Sequence, residues 1–147
     1  MPAQQNETLN VVKIVKLALD IFNEDYIVFT SDSEEIITKF DKTQLIRVVT
    51  NLVKNAIQAI PENQTPKVVI NVATKNNNVV ITVADNGSGI LEENLDKVFE
   101  PKFTTKTSGM GLGLAMVKNI VETHQGTITF VSEKDKGTTF TVSLPKS

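Results

Sequence analysis

The chain contains no cysteine and a single histidine among its 147 residues. The absence of cysteine excludes disulfide bonds and thiolate metal sites. With one histidine, almost no ligands remain for a zinc site. Zinc chemistry is therefore nearly excluded.

Long apolar runs and an excess of positive charge are also missing. No apolar run approaches the roughly 20 residues that span a bilayer, and no secretory signal is visible. Asp and Glu (17) outnumber Lys and Arg (15), which leaves no basic field to attract nucleic acid. A 40 % hydrophobic content predicts one ordinary globular domain over residues 9–147, preceded by a polar leader at residues 1–8. We expect it to be soluble and cytoplasmic, without contacts to nucleic acid or membrane.

Local patterns predict alternating helices and hairpins. Helices are predicted at 9–22, 42–60, 91–98 and 113–124. Hairpins are predicted from 26–31 with 35–40, from 67–74 with 79–84, and from 127–132 with 138–144. The last two hairpins are rich in Val and Ile, so we expect helices to cover at least part of one face of their sheet.

Residues 85–90, Asp-Asn-Gly-Ser-Gly-Ile, follow directly after an apolar strand. The carboxylate of Asp85 would lie at the end of that strand, beside a glycine turn, where it can accept a hydrogen bond from an amine such as that of adenine. Residues 109–114, Gly-Met-Gly-Leu-Gly-Leu, lead into a helix whose first N–H groups could face phosphate. Either motif alone is more often an ordinary turn, but both in this order indicate a nucleotide site.

The helix predicted at 42–60 carries an unusual polar stripe. Asn51 and Asn55 lie one turn apart on it, although asparagine is a poor helix former. They could simply point into water. Alternatively, Asn55 offers a neutral oxygen to a hydrated Mg²⁺ held between phosphates and protein.

Residues 99–112 show little periodicity and are expected to form a mobile segment that could close over a ligand. Lys106 is its candidate phosphate contact, with simple solvation as the alternative. His124 is expected to be a packed or helix-capping residue rather than a phosphate acceptor, and Gly126 the stop of its helix.

With these segments in place, the chain resembles the ATP-binding catalytic domain of bacterial sensor histidine kinases, a group related to gyrase, Hsp90 and MutL ATPase domains. The resemblance rests on four motifs: the N box at 51–59, the first glycine box at 85–90, the F box at 99–106 and the second glycine box at 109–114. Gly137-Thr-Thr-Phe-Thr-Val-Ser-Leu-Pro145 is also family-like. The Pro-x-Phe-Thr-Thr-Lys lid sequence is closest to nitrogen-regulation-type kinases.

The resemblance implies an α+β fold, a two-layer α/β sandwich with a mixed, mostly antiparallel sheet and three main helices on one face. It implies ATP and Mg²⁺ as cofactors, with Asp85 on the adenine amine, Thr138 assisting through water and Asn55 as the Mg²⁺ ligand. Catalytic roles would fall to Asn51, Asn55 and Lys106. The cofactor-binding residues it implies are Asn51, Asn55, Asp85, Gly87, Gly89, Ile90, Phe99, Phe103, Thr105, Lys106, Gly109, Gly111, Leu112, Gly113, Leu114 and Thr138.

The residue type at position 51 distinguishes histidine kinases from the related ATPases. Gyrase-like ATPases carry at this position a glutamate that activates water, whereas an asparagine cannot accept a proton near neutral pH. We therefore expect slow hydrolysis and transfer of the γ-phosphoryl group to a histidine elsewhere. Two residues depart from the family pattern: Met110 stands where Thr or Ser is common, and Gln58 where many members have a basic residue.

The family's phosphoacceptor histidine lies on a dimerising helical hairpin, which is not visible before residue 41. We therefore expect a monomeric fragment or stand-alone module, and a membrane-anchored parent kinase is compatible with this. Its partners would be the histidine-bearing dimerisation domain of the same kinase and a downstream response regulator. An anti-sigma-factor-type serine kinase and a nucleotide-binding module without transfer activity are the alternatives.

Overall fold

The computed structural model describes residues 6–100 and 113–146. Within them, three α-helices and seven strands alternate along the chain. The helices are α1 (Val11–Leu19), α2 (Lys42–Gln58) and α3 (Gly113–Thr123), and a 3-10 helix covers Glu92–Lys97. The strands are β1 (Asn6–Asn10), β2 (Ile27–Ser31), β3 (Ile37–Asp41), β4 (Val68–Lys75), β5 (Asn78–Asp85), β6 (Thr127–Glu133) and β7 (Gly137–Pro145).

Five strands form the main sheet in the order β2-β4-β5-β7-β6, and β1 pairs with β3 in a separate two-stranded sheet. The β2–β4 pair is parallel, while the other pairs of both sheets are antiparallel. The sheet is thus mixed and mostly antiparallel, as expected.

Buried and half-buried side chains alternate along the central strands, and this alternation produces the two layers. In β4, β5 and β7 every second side chain is buried, and these side chains form one core with the apolar stripes of the helices. Because successive strand residues point to opposite faces, the intervening, half-buried side chains lie on the other face of the sheet. The predicted α+β sandwich is confirmed.

The predicted hairpin of residues 26–31 and 35–40 is wrong. Both segments are strands, but β2 pairs in parallel with β4, and β3 pairs with β1. A parallel partner requires a crossover, which β3 and α2 provide between β2 and β4. The β-branched pattern identifies each strand but not its partner.

Residues 6–8, expected to belong to a polar leader, lie in β1 opposite β3. The following helix begins at Val11 rather than at residue 9, because Asn10 is its N-cap. The Oδ1 atom of Asn10 accepts hydrogen bonds from the N–H groups of Val12 (3.1 Å) and Ile36 (3.0 Å). This one side chain both starts α1 and holds the segment before β3.

The other predicted elements are found with small shifts. Asp41 caps α2 by accepting a hydrogen bond from the N–H of Gln44 at 3.1 Å. The β4–β5 and β6–β7 hairpins are confirmed, and the short acidic helix is a 3-10 helix. Within residues 6–100 and 113–146, no helix has the length and apolar composition needed to cross a bilayer.

The end of α3 is formed by Gln125 rather than by Gly126. Gln125 adopts a left-handed φ of 61°, and the Gly126 N–H reaches back to the Val121 carbonyl at 2.9 Å. Gly126 is instead required by packing, because a Cβ there would lie only 2.5 Å from the backbone carbonyl oxygen of Ser143.

His124 is packed, as expected. Its ring stacks on Phe40 with centroids 3.9 Å apart, and its Nδ1 lies 2.9 Å from the Ile120 carbonyl oxygen. Its Nε2 lies 3.3 Å from Oδ1 of Asn6. The histidine thus joins the end of α3 to the β1–β3 pair.

Candidate functional site

A cavity of about 490 Å³ opens beside the carboxyl ends of α2 and β5. Its walls come from these two elements, the loop after β5, the 3-10 helix and the β6–β7 turn. The lining residues are Asn55, Gln58, Ala59, Ile60, Pro61, Asp85, Ser88, Gly89, Ile90, Leu91, Asn94, Val98, Leu114, Lys134, Asp135 and Thr138.

Two buried polar side chains line this otherwise largely apolar space. Asp85 is 9 % exposed and Thr138 is 5 % exposed, and the two residues are paired across β5 and β7. Oδ1 of Asp85 accepts a hydrogen bond from the N–H of Gly87 at 2.8 Å. A buried carboxylate beside a hydroxyl, surrounded by apolar walls, suits a flat ring that carries an amine.

The glycine loop after β5 is clamped between α2 and the β6–β7 turn. The Ser88 N–H donates to the Ala59 carbonyl at 3.0 Å, and the Asp135 N–H donates to the Ser88 carbonyl at 2.8 Å. Gly89 has a φ of +77°, and a Cβ there would overlap the carbonyl of Glu133. A Cβ at Gly87 would likewise meet Ala59. These two glycines therefore permit close backbone packing within the protein, in addition to any approach by a ligand.

A smaller recess continues from the cavity toward the start of α3, lined by Asn51, Asn55, Gln58, Gly113 and Leu114. Nδ2 of Asn51 donates to the Arg47 carbonyl at 2.8 Å, which fixes the side chain along its own helix. Oδ1 of Asn51 would lie 3.0 Å from a Cβ at Gly113. The asparagine stripe of α2 therefore faces the beginning of α3, where predicted phosphate contacts lie.

The residues present fit an adenine nucleotide with Mg²⁺. The cavity offers the buried carboxylate and apolar walls to a base, and Asn55 lines both the cavity and the recess. Among the described residues, no cluster of three or more His, Asp and Glu side chains could hold a metal ion. A site of this composition suits a metal held chiefly by phosphate oxygens, with an amide oxygen as the protein ligand.

Of the ten predicted site residues that the structure describes, eight line the cavity or the recess. Asn55, Asp85, Gly89, Ile90, Leu114 and Thr138 line the cavity, and Asn51 and Gly113 line the recess. Gly87 belongs to the same loop, where its N–H donates to Oδ1 of Asp85 and an added Cβ would meet the Ala59 carbonyl. Phe103, Thr105, Lys106, Gly109, Gly111 and Leu112 lie outside the described residues, as does Met110.

Phe99 does not line the cavity. Its ring makes edge contacts with Phe130 at 5.7 Å and Phe140 at 6.2 Å, and Nζ of Lys118 lies 5.3 Å from its centroid. This placement is compatible with an anchor for the segment that follows, but the described contacts of Phe99 are with the protein core.

Several lining residues were missed by the sequence reasoning. Ala59, Ile60, Leu91, Asn94 and Val98 carry no chemical signal, because tertiary packing alone brings them to the cavity. Lys134 and Asp135 could have been found. Their hairpin turn precedes Thr138 by three or four residues, and β7 pairs with the strand that ends at Asp85.

Comparison with known proteins agrees with this geometry. Residues 40–147 match the family described as histidine kinase-, DNA gyrase B-, and HSP90-like ATPase. The chain is 36 % identical over 152 residues to sporulation kinase A of Bacillus subtilis (strain 168), covering 97 % of this chain. It is 47 % identical over 105 residues to the sensor histidine kinase ZraS of Escherichia coli (strain K12), covering 71 % of this chain. The chain spans about a quarter of these relatives, 25 % and 22 % of their lengths.

Solved structures agree as well. The catalytic domain of histidine kinase ThkA superposes with a TM-score of 0.86 at 32 % identity, covering 97 % of both chains. ThkA in complex with response regulator protein TrrA gives a TM-score of 0.81 at 30 % identity, covering 97 % of this chain and 42 % of that chain. By sequence and by fold, the chain belongs to the histidine kinase-, gyrase B- and HSP90-like ATPase family, within which it is a catalytic domain of the histidine-kinase type.

Proposed function

We propose that the chain binds Mg-ATP in this cavity and donates the γ-phosphoryl group to a histidine on the dimerisation domain of its parent kinase. The observation that carries the proposal is the buried Asp85–Thr138 pair at one end of the cavity, with the asparagine stripe of α2 leading away from it. The proposed acceptor is supported by the relative named as the sensor histidine kinase ZraS.

In this proposal Asp85 accepts a hydrogen bond from the adenine amine, and Thr138 assists it. Ile60 and Ile90 supply apolar walls for the base. Asp85 is the buried carboxylate of the cavity, and we expect it to be the main determinant of affinity for the purine.

Asn55 would hold Mg²⁺, which neutralises phosphate charge when bound. Asn51 and Gly113 would shape the recess that receives the phosphates, and the segment 101–112, with Lys106, would complete it. Phosphoryl transfer depends mainly on alignment and charge neutralisation, so the protein needs no nucleophile of its own.

Asn51 also supports transfer rather than hydrolysis. Its amide is bonded to the Arg47 carbonyl, and an amide cannot take a proton from water. A histidine with the right approach would therefore react in preference to solvent.

The partners follow from the same proposal. They are the histidine-bearing dimerisation domain and a response regulator, since the solved ThkA complex contains a response regulator protein. The lid motif at 101–106 supports a nitrogen-regulation-like kinase as the parent. A catalytic domain that includes β1, the monomeric state and the cytoplasmic location belong to this proposal too. The named relatives do not favour the serine-kinase and non-transferring alternatives.

Titration calorimetry with ATP, with and without Mg²⁺, tests the proposal when phosphate release is assayed in the same samples. We expect saturable binding that Mg²⁺ alters, with almost no phosphate released. Rapid release would place the chain with the ATPases. Absence of binding would refute the proposal.

A further inference from the structure

Three polar side chains form a row across neighbouring strands at the cavity end of the sheet. Ser132 of β6 is paired with Thr138 of β7, and Thr138 is paired with Asp85 of β5. Because paired residues point to the same face of a sheet, all three side chains face the helices. Asp85 and Thr138 line the cavity, whereas Ser132 does not.

The Ser132 hydroxyl holds two parts of the site at once. It accepts a hydrogen bond from the Ile90 N–H at 2.7 Å, and its Oγ lies 2.9 Å from Oγ1 of Thr138. It also lies 3.4 Å from the Gly137 carbonyl, to which it can donate. Ile90, at the end of the glycine loop, and Thr138 both line the cavity.

A serine hydroxyl has a single hydrogen to give. If Ser132 donates to the Gly137 carbonyl, Thr138 donates to Ser132 and presents its lone pairs to the cavity. If Ser132 donates to Thr138, the hydroxyl hydrogen of Thr138 is free to be donated to a ligand in the cavity. The contact with Ser132 thus decides whether Thr138 acts as an acceptor or a donor toward a bound ligand.

We propose that Ser132 is a positioning residue for recognition of the purine 6-amino edge, acting through the hydroxyl of Thr138. The inference rests on the proposed binding of ATP in this cavity. A purely structural role is the competing explanation. The glycine loop is also held by the Ser88–Ala59 and Asp135–Ser88 hydrogen bonds, so removing one hydroxyl should leave the loop in place.

The test compares ATP with purine riboside triphosphate, which lacks the 6-amino group, by calorimetry on the full chain. Ser132→Ala should weaken ATP binding by about 5- to 10-fold, the effect of one lost hydrogen bond, and leave the analogue within about 2-fold. Ser132→Thr, which restores the hydroxyl, should return ATP binding to within about 2-fold. Ser143→Ala removes a half-buried strand serine from the opposite face of the sheet and is the matched control.

A double-mutant cycle with Thr138→Val, which keeps the shape and removes the hydroxyl, tests the route of the effect. Ser132→Ala should add no further loss of ATP affinity in that background. Thermal unfolding is measured for every variant. Should Ser132→Ala fail to fold, Ser132→Cys keeps the site filled with a weaker donor and should lose ATP affinity selectively, by less.

Equal weakening of both nucleotides, an effect that persists with Thr138→Val, or unchanged ATP affinity would each overturn the inference. In those cases the unsubstituted chain still binds ATP, and the proposed function stands. If the unsubstituted chain fails to bind ATP, the proposed function fails and this inference fails with it.

Discussion

Asp85 is the one charged side chain among the inward-facing residues of β5, where Val79, Ile81 and Val83 precede it. Burying a carboxylate is unfavourable unless hydrogen bonds stabilise it. The Gly87 N–H provides one such bond. Because Asp85 also lines the cavity, its carboxylate can serve a ligand as well as the protein.

Replacing Asp85 by Asn should weaken ATP binding roughly 10- to 100-fold, because a hydrogen bond to a charged acceptor is lost. The fold should be retained to within about 1 kcal/mol, since the amide oxygen can still accept from the Gly87 N–H. Calorimetry and urea unfolding measure the two effects. Asp135→Asn, at the same cavity, is the charge-matched control, and ATP binding at the original affinity by Asp85→Asn would contradict the assignment.

Gly137 matters for the backbone of the fold, where a side chain would not fit. Its φ is +134°, and a Cβ there would overlap the carbonyl oxygen of Asp85. Gly137→Ala should lower the free energy of unfolding by about 3 kcal/mol, because both strain and overlap are introduced.

Urea unfolding of Gly113→Ala provides the comparison. Gly113 is the first residue of α3, and a Cβ there would lie 3.0 Å from the Asn51 side chain. Alanine is the better helix former, so the unfolding free energy should change by less than about 1 kcal/mol. If both variants lost a similar amount of unfolding free energy, the special requirement for glycine at position 137 would be refuted.

At the scale of elements, helices and local hairpins could be predicted, whereas strand partners could not. The β4–β5 and β6–β7 hairpins join neighbours along the chain, so the alternation of apolar residues and the polar turns suffice. The partner of β2 lies beyond β3 and α2. Residues 6–8 carry no apolar pattern, and their strand depends on the backbone of β3.

His124 connects three of these elements and gives a test of their packing. His124→Ala should lower the free energy of unfolding by about 1–3 kcal/mol, because the stacking on Phe40 and the hydrogen bond from the ring to the Ile120 carbonyl are lost. Hydrogen exchange of the β1 amides should accelerate while ATP affinity is unchanged.

His124→Phe is the matched variant, since it keeps the stacked ring and removes only its hydrogen bond. It should recover part of the lost stability. A loss of ATP binding in either folded variant would show that the histidine takes part in the site.

At the scale of the molecule, ligand binding should raise the stability of the whole domain. At an ATP concentration 100 times the Kd, the midpoint of thermal unfolding should rise by roughly 5–10 °C. Adding Mg²⁺ to ATP should raise this midpoint further, and the Asn55→Ala variant should lose the additional rise. Asn119→Ala, an exposed asparagine of α3, should retain the increment, and equal increments in both variants would contradict Asn55 as the ligand.

The candidate site was largely predictable because its polar residues belong to short motifs. Asp85, Asn55 and Thr138 are recognised within their motifs, and the structure places them around one cavity. Leu91, Asn94 and Val98 were not predictable, since ordinary side chains become a wall only when the chain folds around them. Phe99 belongs to such a motif, yet its described contacts are with Phe130 and Phe140.

The two hairpins of the main sheet point in opposite directions, which matters for labelling the protein. The β6–β7 turn is bonded to the glycine loop, whereas the β4–β5 turn lies at the far end of β5, with Asn76 and Asn77 at φ values of 52° and 65°. A tight hairpin turn of this kind needs residues with left-handed φ values. It makes no contact with the cavity, whose lining residues lie at the other end of β5. Since the sequence has no cysteine, Asn78→Cys beside this turn would give a single attachment point for a fluorophore. A dye placed there would report on the domain in binding experiments while leaving the cavity unobstructed.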